Sequence, residues 1–551
     1  GVNRGTYEYR FEGYDYAKRK WVKLADNQFG YAIVENELYD DPDEILISTF
    51  DQDPGDLAFA NFIQADYYRY NLKTGSKKIV LRGNQKNSQA TFGRDGTPIF
   101  SQGYDATKGD FVYYYRPEGT TRWDEIYRIP SYNYNESIEF FGTDEVDKNI
   151  VYVFAYNGED KQAIWSFDVN TKQFVEKLFQ HQEVDVVGVR EHHNPWYDDG
   201  NEEKTRGLKI AGVRYATDKV HTMWVDAEEE ALFKGLEQAI PNAHHISIPS
   251  VSRDGSVKLI HNRGPRDPGS YYLLKGGALQ YIGGAAPHLP AEQLADVKFI
   301  KYPTRDGHQI PAYLIVPNTP GPWPLIVLPH GGPHIHEVID YDEWGQFLAN
   351  NGYLVMQPEY RGSRGWGLSH WQQSFAQWGK LMADDKDDGV KYLIEQGMTT
   401  PDRVAMFGWS YGGYAALAAA VRSNPQPYQC VISGAPVSDF PQARGDFAKG
   451  IEASERYIDE TYDGLNPLGE AEKVNIPVLL VHGDVDQRVP YYHARRWAKK
   501  MKSMNKSEDE FKLVTLEKAD HFSNTLFYNH QKQLYTEMLD WLQNKCGPGG
   551  L

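Results

Sequence analysis

Short alternations of apolar and polar positions, broken by turn residues, dominate the first half of the chain. The segments Tyr68-Arg-Tyr-Asn-Leu-Lys-Thr-Gly75 and Trp165-Ser-Phe-Asp-Val-Asn-Thr-Lys172 share alternating aromatic residues followed by an Asn or Asp that begins a turn. They start 97 residues apart, about twice the ~40–50-residue period of propeller blades. The pattern predicts an all-β propeller over residues 1–295, with about six or seven blades. The alternative is a large irregular β-domain.

From residue 296 to residue 551 the pattern changes to strands that alternate with helices. This order predicts a doubly wound, mostly parallel sheet of the α/β-hydrolase type. The predicted strands are Val297–Tyr302, Ile310–Val316, Leu325–Leu328, Tyr353–Met356, 404–407, 429–433, Val478–Val481 and Phe511–Leu516. The predicted helices are Tyr341–Asn351, Met382–Gln396, 411–422, 491–504 and 525–543.

The most informative segment is a sharp turn between the predicted strand 404–407 and the predicted helix 411–422. It reads Gly408-Trp-Ser-Tyr-Gly412, the Gly-x-Ser-x-Gly pattern of a nucleophile elbow. A serine on such a strained turn needs neighbours two positions away with almost no side chain, because the strand and helix pass close by. Ser410 is therefore the candidate nucleophile. The alternative is a glycine-rich turn with an incidental serine.

A serine nucleophile needs a base and an acid that orients the base, each on a loop after a later strand. Asp484 and Asp486 follow the predicted strand 478–481, and His521 follows the predicted strand 511–516. The order Ser, Asp, His is that of α/β-hydrolases. Spacing alone does not separate Asp484 from Asp486.

An oxyanion hole needs backbone N–H donors aimed at the developing negative charge. One predicted donor is the amide of Tyr411, and the other is Gly331 or Gly332 in the loop Pro329-His-Gly-Gly-Pro-His334. A rival interpretation makes His330, His334 and His336 a metal cluster. The Gly-Gly-Pro sequence disfavours it, because it breaks any helix that could align two of these imidazoles.

Composition narrows the function classes. The net charge of −18 argues against nucleic acid or an anionic membrane surface as a partner. The chain shows no signal-peptide pattern and no long uninterrupted apolar run, so we expect a soluble protein, either cytoplasmic or periplasmic or secreted after loss of a leader. The two cysteines, Cys430 and Cys546, are predicted to be a core thiol and a tail thiol. The predicted chemistry requires no metal and no cofactor.

A propeller followed by an α/β-hydrolase with this elbow resembles the prolyl oligopeptidase family of serine peptidases. Within the family, three segments look most like the acylaminoacyl-peptidase and dipeptidyl-peptidase branches: His330-Gly-Gly-Pro333, Tyr360-Arg-Gly-Ser-Arg-Gly-Trp-Gly367, and Gln377-Trp-Gly379 ahead of Asp384-Asp385. The resemblance covers nearly all of 296–551 with specific motifs. Over residues 1–295, the chain resembles the family only in its predicted repeat architecture.

The resemblance implies several roles. It assigns the acid of the triad to Asp486, through the pattern His-Gly-x-x-Asp. For the second oxyanion donor, we choose Gly332 of the two candidate glycines. The resemblance also implies that Arg488 binds a substrate carbonyl, whereas the residues alone fit a surface salt bridge equally well. The residues that resemble the lining of the S1 pocket are Tyr411, Val437, Phe440 and Val489. These side chains favour an apolar P1 residue, although by composition they are ordinary core residues.

The resemblance implies that the substrates are short peptides or acyl-peptides and that the propeller excludes folded proteins. It leaves open whether the chain forms a homo-oligomer. Two features depart from the family. Glu228-Glu229-Glu230 lacks the aromatic context of the paired-Glu motif of dipeptidyl-peptidases and is predicted to be a solvated turn or short helix. The chain also begins almost directly in strand-like sequence, so we expect a propeller that is trimmed or short by a blade.

The alternative functions are a carboxylesterase with the same triad and a catalytically silent binding protein.

Overall fold

A computed structural model of the chain describes residues 12–15, 18–23, 31–50, 64–84, 86–131, 133–144, 146–196, 209–422, 427–447, 458, 460–521, 526–547 and 550–551. The chain divides into two compact units, one built on residues 1–213 and the other on residues 214–447 and 458–551. The predicted domain boundary at residue 295 stays a prediction. It falls between the last strand of the blade series, which ends at Gly284, and the first strand of the large sheet, which begins at Val297.

The region before residue 285 is built from antiparallel sheets that follow one another along the chain. A hairpin comes first, formed by β1 (Glu12–Asp15) and β2 (Lys20–Lys23). Three four-stranded sheets follow: β3 (Tyr31–Asn36), β4 (Glu44–Phe50), β5 (Asp66–Asn71) and β6 (Lys77–Leu81); β7 (Gln89–Phe92), β8 (Pro98–Asp105), β9 (Asp110–Tyr115) and β10 (Asp124–Pro130); and β11 (Ile138–Thr143), β12 (Ile150–Ala155), β13 (Ala163–Asp168) and β14 (Gln173–Phe179).

The series ends with a three-stranded and a four-stranded sheet. Their strands are β15 (Val186–Glu191), β16 (Ile210–Ala216) and β17 (Val220–Trp224), then β18 (His245–Val251), β19 (Val257–Gly264), β20 (Asp267–Lys275) and β21 (Ala278–Gly284). The predicted β-propeller is thus confirmed as a fold. The described residues form five blades, fewer than the six or seven predicted. Each blade with its connections takes about 50 residues, at the upper end of the period assumed.

Local turn chemistry explains the hairpins inside the blades. The turn at Asp95-Gly96 joins β7 to β8, and the turn at Asp254-Gly255 joins β18 to β19. The acidic run 228–230 opens the 13-residue helix α1 (Ala227–Ala239), which is longer than the short helix predicted, and Glu229 is buried instead of solvated. Asp226 caps this helix by accepting hydrogen bonds from two backbone amides of its first turn.

Residues 297–516 supply an eight-stranded sheet. Its spatial order is β22-β23-β25-β24-β26-β27-β28-β29. Strand β23 runs antiparallel to both of its neighbours, β22 and β25, and the other neighbouring pairs are parallel. The strands are β22 (Val297–Pro303), β23 (Gln309–Ile315), β24 (Leu325–Val327), β25 (Leu354–Pro358), β26 (Val404–Trp409), β27 (Cys430–Gly434), β28 (Val478–Gly483) and β29 (Phe511–Leu516). The helices are α2 (Glu343–Asn350), α3 (Leu368–Gln372), α4 (Leu381–Glu395), α5 (Tyr411–Val421), α6 (Phe440–Phe447), α7 (Tyr492–Ser503) and α8 (Tyr528–Asn544).

Both faces of this sheet are covered, which explains why its central strands are apolar throughout. Successive side chains of a strand point to opposite faces. In β26, Val404 and Met406 join a core with α4, α5 and α7, whereas Ala405 and Phe407 join a second core with α2 and α8. The doubly wound architecture predicted for residues 296–551 is therefore confirmed. Within the described part of the chain, no helix has both the length and the apolar character needed to cross a membrane.

The prediction of two separate thiols is wrong. Cys430 on β27 and Cys546 just after α8 form a disulfide, with their Cα atoms 5.0 Å apart. Both residues are fully buried. Helix α8 packs on the face of the sheet where Cys430 points, and its end brings Cys546 to that strand. A tally of two cysteines 116 residues apart could not reveal this packing.

Candidate active site

Ser410 lies at the tip of the turn between β26 and α5. It adopts a left-handed backbone conformation with φ of +61°, unusual for a residue with a side chain. It is partly exposed, while Trp409 and Tyr411 on either side are buried. A Cβ atom on Gly408 would lie 2.5 Å from the backbone of Gly412. The turn therefore excludes a side chain at this position, as predicted for a nucleophile elbow.

Asp486 and His521 meet in a buried hydrogen bond. They follow β28 and β29, which run parallel to β26, so all three candidate residues come after the carboxyl ends of strands in one sheet. His521 Nδ1 lies 2.7 Å from Asp486 Oδ2. Asp486 Oδ1 accepts hydrogen bonds from the backbone amides of Arg488 (2.9 Å) and Val489 (2.7 Å). The carboxylate is thus held by donors on both oxygens.

This environment keeps Asp486 ionised. Burial by itself would raise the pKa of its carboxyl, but hydrogen bonds from His482 and His521 outweigh that effect and lower the pKa to about 2. An ionised carboxylate is an acceptor only, so it fixes the proton of His521 on Nδ1. The other ring nitrogen, Nε2, is left as the base.

Asp484, the second candidate from the sequence, has a different partner. Its Oδ1 accepts a hydrogen bond from the backbone amide of Lys518 at 2.5 Å. It therefore joins the loops after β28 and β29. The structure favours Asp486 as the partner of the histidine, in agreement with the family pattern.

Two further contacts hold the histidine loop, and sequence reasoning missed both. The indole Nε1 of Trp409 donates a hydrogen bond to the backbone oxygen of His521 at 2.7 Å. The buried His482 approaches Asp486 Oδ2 at 3.3 Å through Nε2, which also lies 2.8 Å from the backbone oxygen of Val489. The spacing of four residues between His482 and Asp486 was the available signal.

The predicted oxyanion loop runs beside the elbow. A Cβ atom on Gly331 would lie 3.5 Å from Cβ of Ser410, so this glycine permits close approach. Gly332 has φ of +109°, a conformation that favours glycine. A Cβ atom on Gly412 would lie 2.3 Å from the backbone oxygen of Pro329, where the same loop begins. The elbow and the loop are therefore packed backbone to backbone, and the assignment of the Tyr411 and Gly332 amides as donors stays a prediction.

Two of the three histidines of this loop have separate hydrogen-bond partners. His330 Nε2 lies 2.8 Å from Ser363 Oγ, and His334 Nδ1 lies 2.8 Å from the backbone oxygen of Gly362. Burial lowers the pKa of His330 to about 3 and the pKa values of His334 and His336 to about 4, so all three are neutral at pH 7. His330 and His334 therefore act as buried hydrogen-bonding groups that hold the loop.

The predicted pocket residues share one buried cluster. Tyr411, Val437, Phe440 and Val489 are each at most 5% exposed and belong to the same hydrophobic core. Trp378 was noted in the sequence only as part of the family segment Gln377-Trp-Gly379. Its ring packs edge-on against Tyr411 at 4.7 Å and tilted against Phe440 at 5.2 Å. The cluster is consistent with an apolar wall beside Ser410, and contact with a substrate stays a prediction.

Arg488 lies next to the acid of the site. Its backbone amide binds Asp486, and burial lowers the pKa of its guanidinium. A partly buried guanidinium is a fixed donor for a carbonyl or carboxylate oxygen. Its role in binding a substrate carbonyl stays a prediction.

Comparison with known proteins agrees with this geometry. Residues 340–549 match the model of the prolyl oligopeptidase family. The chain is 24% identical over 467 residues to dipeptidyl aminopeptidase BIII of Pseudoxanthomonas mexicana, a match that covers 80% of the chain and 64% of that protein. It is 26% identical over 234 residues to the acylamino-acid-releasing enzyme of Mus musculus, covering 38% of the chain and 31% of that enzyme.

Solved structures show the same fold. A puromycin-hydrolyzing peptidase of Mycobacterium tuberculosis aligns with a TM-score of 0.66 and 18% identity, over 92% of this chain and 77% of that one. The acylaminoacyl peptidase of Pyrococcus horikoshii aligns with a TM-score of 0.59 and 15% identity, over 96% and 90%. The chain spans 64% of the length of dipeptidyl aminopeptidase BIII and of dipeptidyl peptidase family member 6 of Caenorhabditis elegans.

The matched region contains the elbow, the residues after β28 and β29, and the buried aromatic cluster. The blade series and the parallel sheet are the fold of the solved relatives. The resemblance predicted from the motifs is thereby confirmed: residues 340–549 of this chain match the prolyl oligopeptidase family.

Proposed function

We propose that this chain is a serine peptidase that hydrolyses short peptides or acyl-peptides through an acyl-enzyme on Ser410. The observation that carries the proposal is the buried hydrogen bond between His521 and an ionised Asp486, after the carboxyl ends of the strands beside the elbow. This pair supplies the oriented base that a serine hydroxyl requires.

In the proposed mechanism, Ser410 Oγ attacks the substrate carbonyl carbon while His521 Nε2 takes the hydroxyl proton. The carbonyl oxygen becomes an oxyanion that accepts hydrogen bonds from the amides of Tyr411 and Gly332. The imidazolium, stabilised by Asp486, then gives its proton to the leaving amine as the C–N bond breaks. A water molecule repeats the sequence on the ester and releases the acid product and the free serine.

Substrate preference follows from the side chains near the elbow. The buried cluster of Tyr411, Val437, Phe440 and Val489 favours an apolar P1 side chain, and Arg488 binds a substrate carbonyl oxygen. We propose that the propeller limits substrates to short peptides. Cleavage of a peptide series of increasing length, compared with the same sequence inside a folded protein, tests this limit.

The test of the reaction compares three substrate classes on the full chain. Aminoacyl p-nitroanilides and N-acyl-aminoacyl p-nitroanilides report peptidase activity with a free or a blocked amine, and p-nitrophenyl acyl esters report esterase activity. We expect anilide hydrolysis that Ser410→Ala abolishes. Hydrolysis of esters alone would favour the carboxylesterase alternative, and an unchanged rate in Ser410→Ala would exclude the proposed nucleophile.

A further inference from the structure

Lys386 occupies an unusual position for a lysine. It lies in the middle of α4, and only 1% of its surface is exposed. Its neighbours one turn away on the same helix face, Met382, Gly389 and Val390, are also buried. An aliphatic residue would pack there without the cost of taking an ammonium group out of water. The presence of a charge at such a position therefore calls for an explanation in the groups around it.

Two contacts account for the ammonium group. Nζ donates a hydrogen bond to the backbone oxygen of Met382 at 2.7 Å and lies 3.4 Å from the centre of the Tyr360 ring. It also lies 5.4 Å from the centre of the Tyr411 ring. A cation over an aromatic face is attracted by the ring quadrupole, and the attraction is stronger when water is excluded.

The Tyr360 ring in turn contacts both segments of the proposed oxyanion hole. It stacks on Tyr411 with centroids 5.3 Å apart and on His330 with centroids 4.4 Å apart. Its hydroxyl donates a hydrogen bond to the backbone oxygen of His330 at 2.9 Å. One proposed donor amide belongs to Tyr411, and the other, Gly332, lies two residues after His330. A shift of the Tyr360 ring would therefore move one donor relative to the other.

We propose that Lys386 is a positioning residue for the oxyanion hole, holding the Tyr360 ring that fixes the loop at His330 against Tyr411. The inference rests on the proposed function, because it assigns a residue that acts on the same site without touching the substrate. Oxyanion donors stabilise charge that exists only in the transition state. Loss of their alignment is therefore expected to lower kcat and to leave KM nearly unchanged.

The charge of Lys386 is balanced by its surroundings. Burial lowers the pKa of its ammonium to about 7, while Asp385 and Asp387 on the same helix oppose the shift and Arg422 at the end of α5 adds to it. A change to methionine removes the charge and keeps an unbranched side chain that is shorter by one atom. Since taking an ammonium group out of water costs free energy that an apolar side chain does not, we expect this variant to be as stable as the parent or more so.

The experiment measures kcat, KM and thermal unfolding for the full chain and its variants on the best p-nitroanilide substrate. Lys386→Met should lower kcat by about tenfold to a hundredfold, the range for a small misplacement of catalytic groups, with KM within about twofold and Tm not reduced. Lys391→Met is the matched control, because this lysine lies on the same helix with its side chain 75% exposed. It should retain the parent kcat.

A double-mutant cycle tests whether Lys386 acts through the ring. In a Tyr360→Leu background, Lys386→Met should have no further effect on kcat. Additive effects, a kcat of Lys386→Met within twofold of the parent, or a loss of kcat that only follows a loss of folded protein would each overturn the inference. These outcomes differ from failure of the proposed function, in which the parent chain itself would show no hydrolysis dependent on Ser410.

Discussion

The indole Nε1 of Trp409 donates a 2.7 Å hydrogen bond to the backbone oxygen of His521. The two residues are 112 positions apart in the chain, yet this bond joins the residue before the proposed nucleophile to the proposed base. Both are buried, the indole at 7% and the histidine at 3% exposure. The elbow therefore fixes the backbone that carries the imidazole, in addition to presenting the serine.

Loss of this hydrogen bond should affect catalysis more than binding. Trp409→Phe removes the donor and leaves a buried carbonyl without it, at a cost of about 1–3 kcal/mol. We expect kcat for anilide hydrolysis to fall by about tenfold or more, because the imidazole is no longer held in register. Steady-state kinetics should show little change in KM.

Trp541→Phe is the control for this variant. Trp541 is buried on α8, and its indole N–H has no hydrogen-bond partner among the described residues. The control removes the same atoms from a core tryptophan of the same unit. Equal losses of kcat in the two variants would contradict a specific role for the bond to His521.

The two aspartates after β28 should differ strongly on mutation. Asp486→Asn is expected to lower kcat by about 10⁴-fold, because an amide can stabilise the wrong tautomer of His521 and cannot balance the imidazolium. Asp484→Asn keeps an acceptor oxygen for the amide of Lys518 and should retain kcat within about threefold, since surface changes away from the chemistry have small effects. Progress curves on one substrate with both variants provide the measurement, and similar losses in both would refute the assignment of Asp486.

Much of the catalytic region could be predicted because its local patterns agree with its tertiary structure. Strand 511–516 was predicted with its observed bounds, and the helix predicted at 411–422 spans Tyr411–Val421. Both belong to the doubly wound architecture, in which the order of the strands constrains the place of each loop. Helices α3 and α6 were missed because Leu368–Gln372 has only five residues and Phe440–Phe447 contains Pro and Gly.

The contacts that tie the site together could not be predicted from spacing. The bond of Trp409 to His521, the stack of Tyr360 between His330 and Tyr411, and the disulfide all join distant parts of the chain. Each depends on the packing of several elements, and no local pattern encodes it. The burial of Glu229 in α1 was not predicted for a related reason, since it is a tertiary effect.

Glu359 should make stability depend on pH. Its side chain is fully buried, and burial followed by repulsion from Glu337 raises its pKa well above the ordinary value of 4.5. Between that value and its folded-state pKa, the folded protein keeps a proton that the unfolded chain has released. The free energy of unfolding therefore falls as pH rises through this window, by about 1.4 kcal/mol per pH unit for one full proton.

Glu359→Gln should remove most of this slope. The measurement is denaturant unfolding at several pH values between 5.5 and 7.5. The readout is the slope of the free energy of unfolding against pH, not its absolute value. The glutamine amide changes the contacts with Trp366 and with the backbone amide of Glu337, which adds a cost that does not depend on pH. Glu395→Gln on exposed α4 surface is the control. A slope that is unchanged in Glu359→Gln, or that falls equally in the control, would contradict the prediction.

The disulfide should stabilise the catalytic region without contributing to its chemistry. Cys430 and Cys546 close a loop of 116 residues, and such a crosslink typically contributes about 2–4 kcal/mol. We expect Cys546→Ser to lower the free energy of unfolding by this amount while kcat at 25 °C stays within about twofold of the parent. Reductant should destabilise the parent to the level of the variant and leave Cys546→Ser unaffected. Equal responses of both proteins to reductant, in matched denaturant curves, would show that no such bond exists.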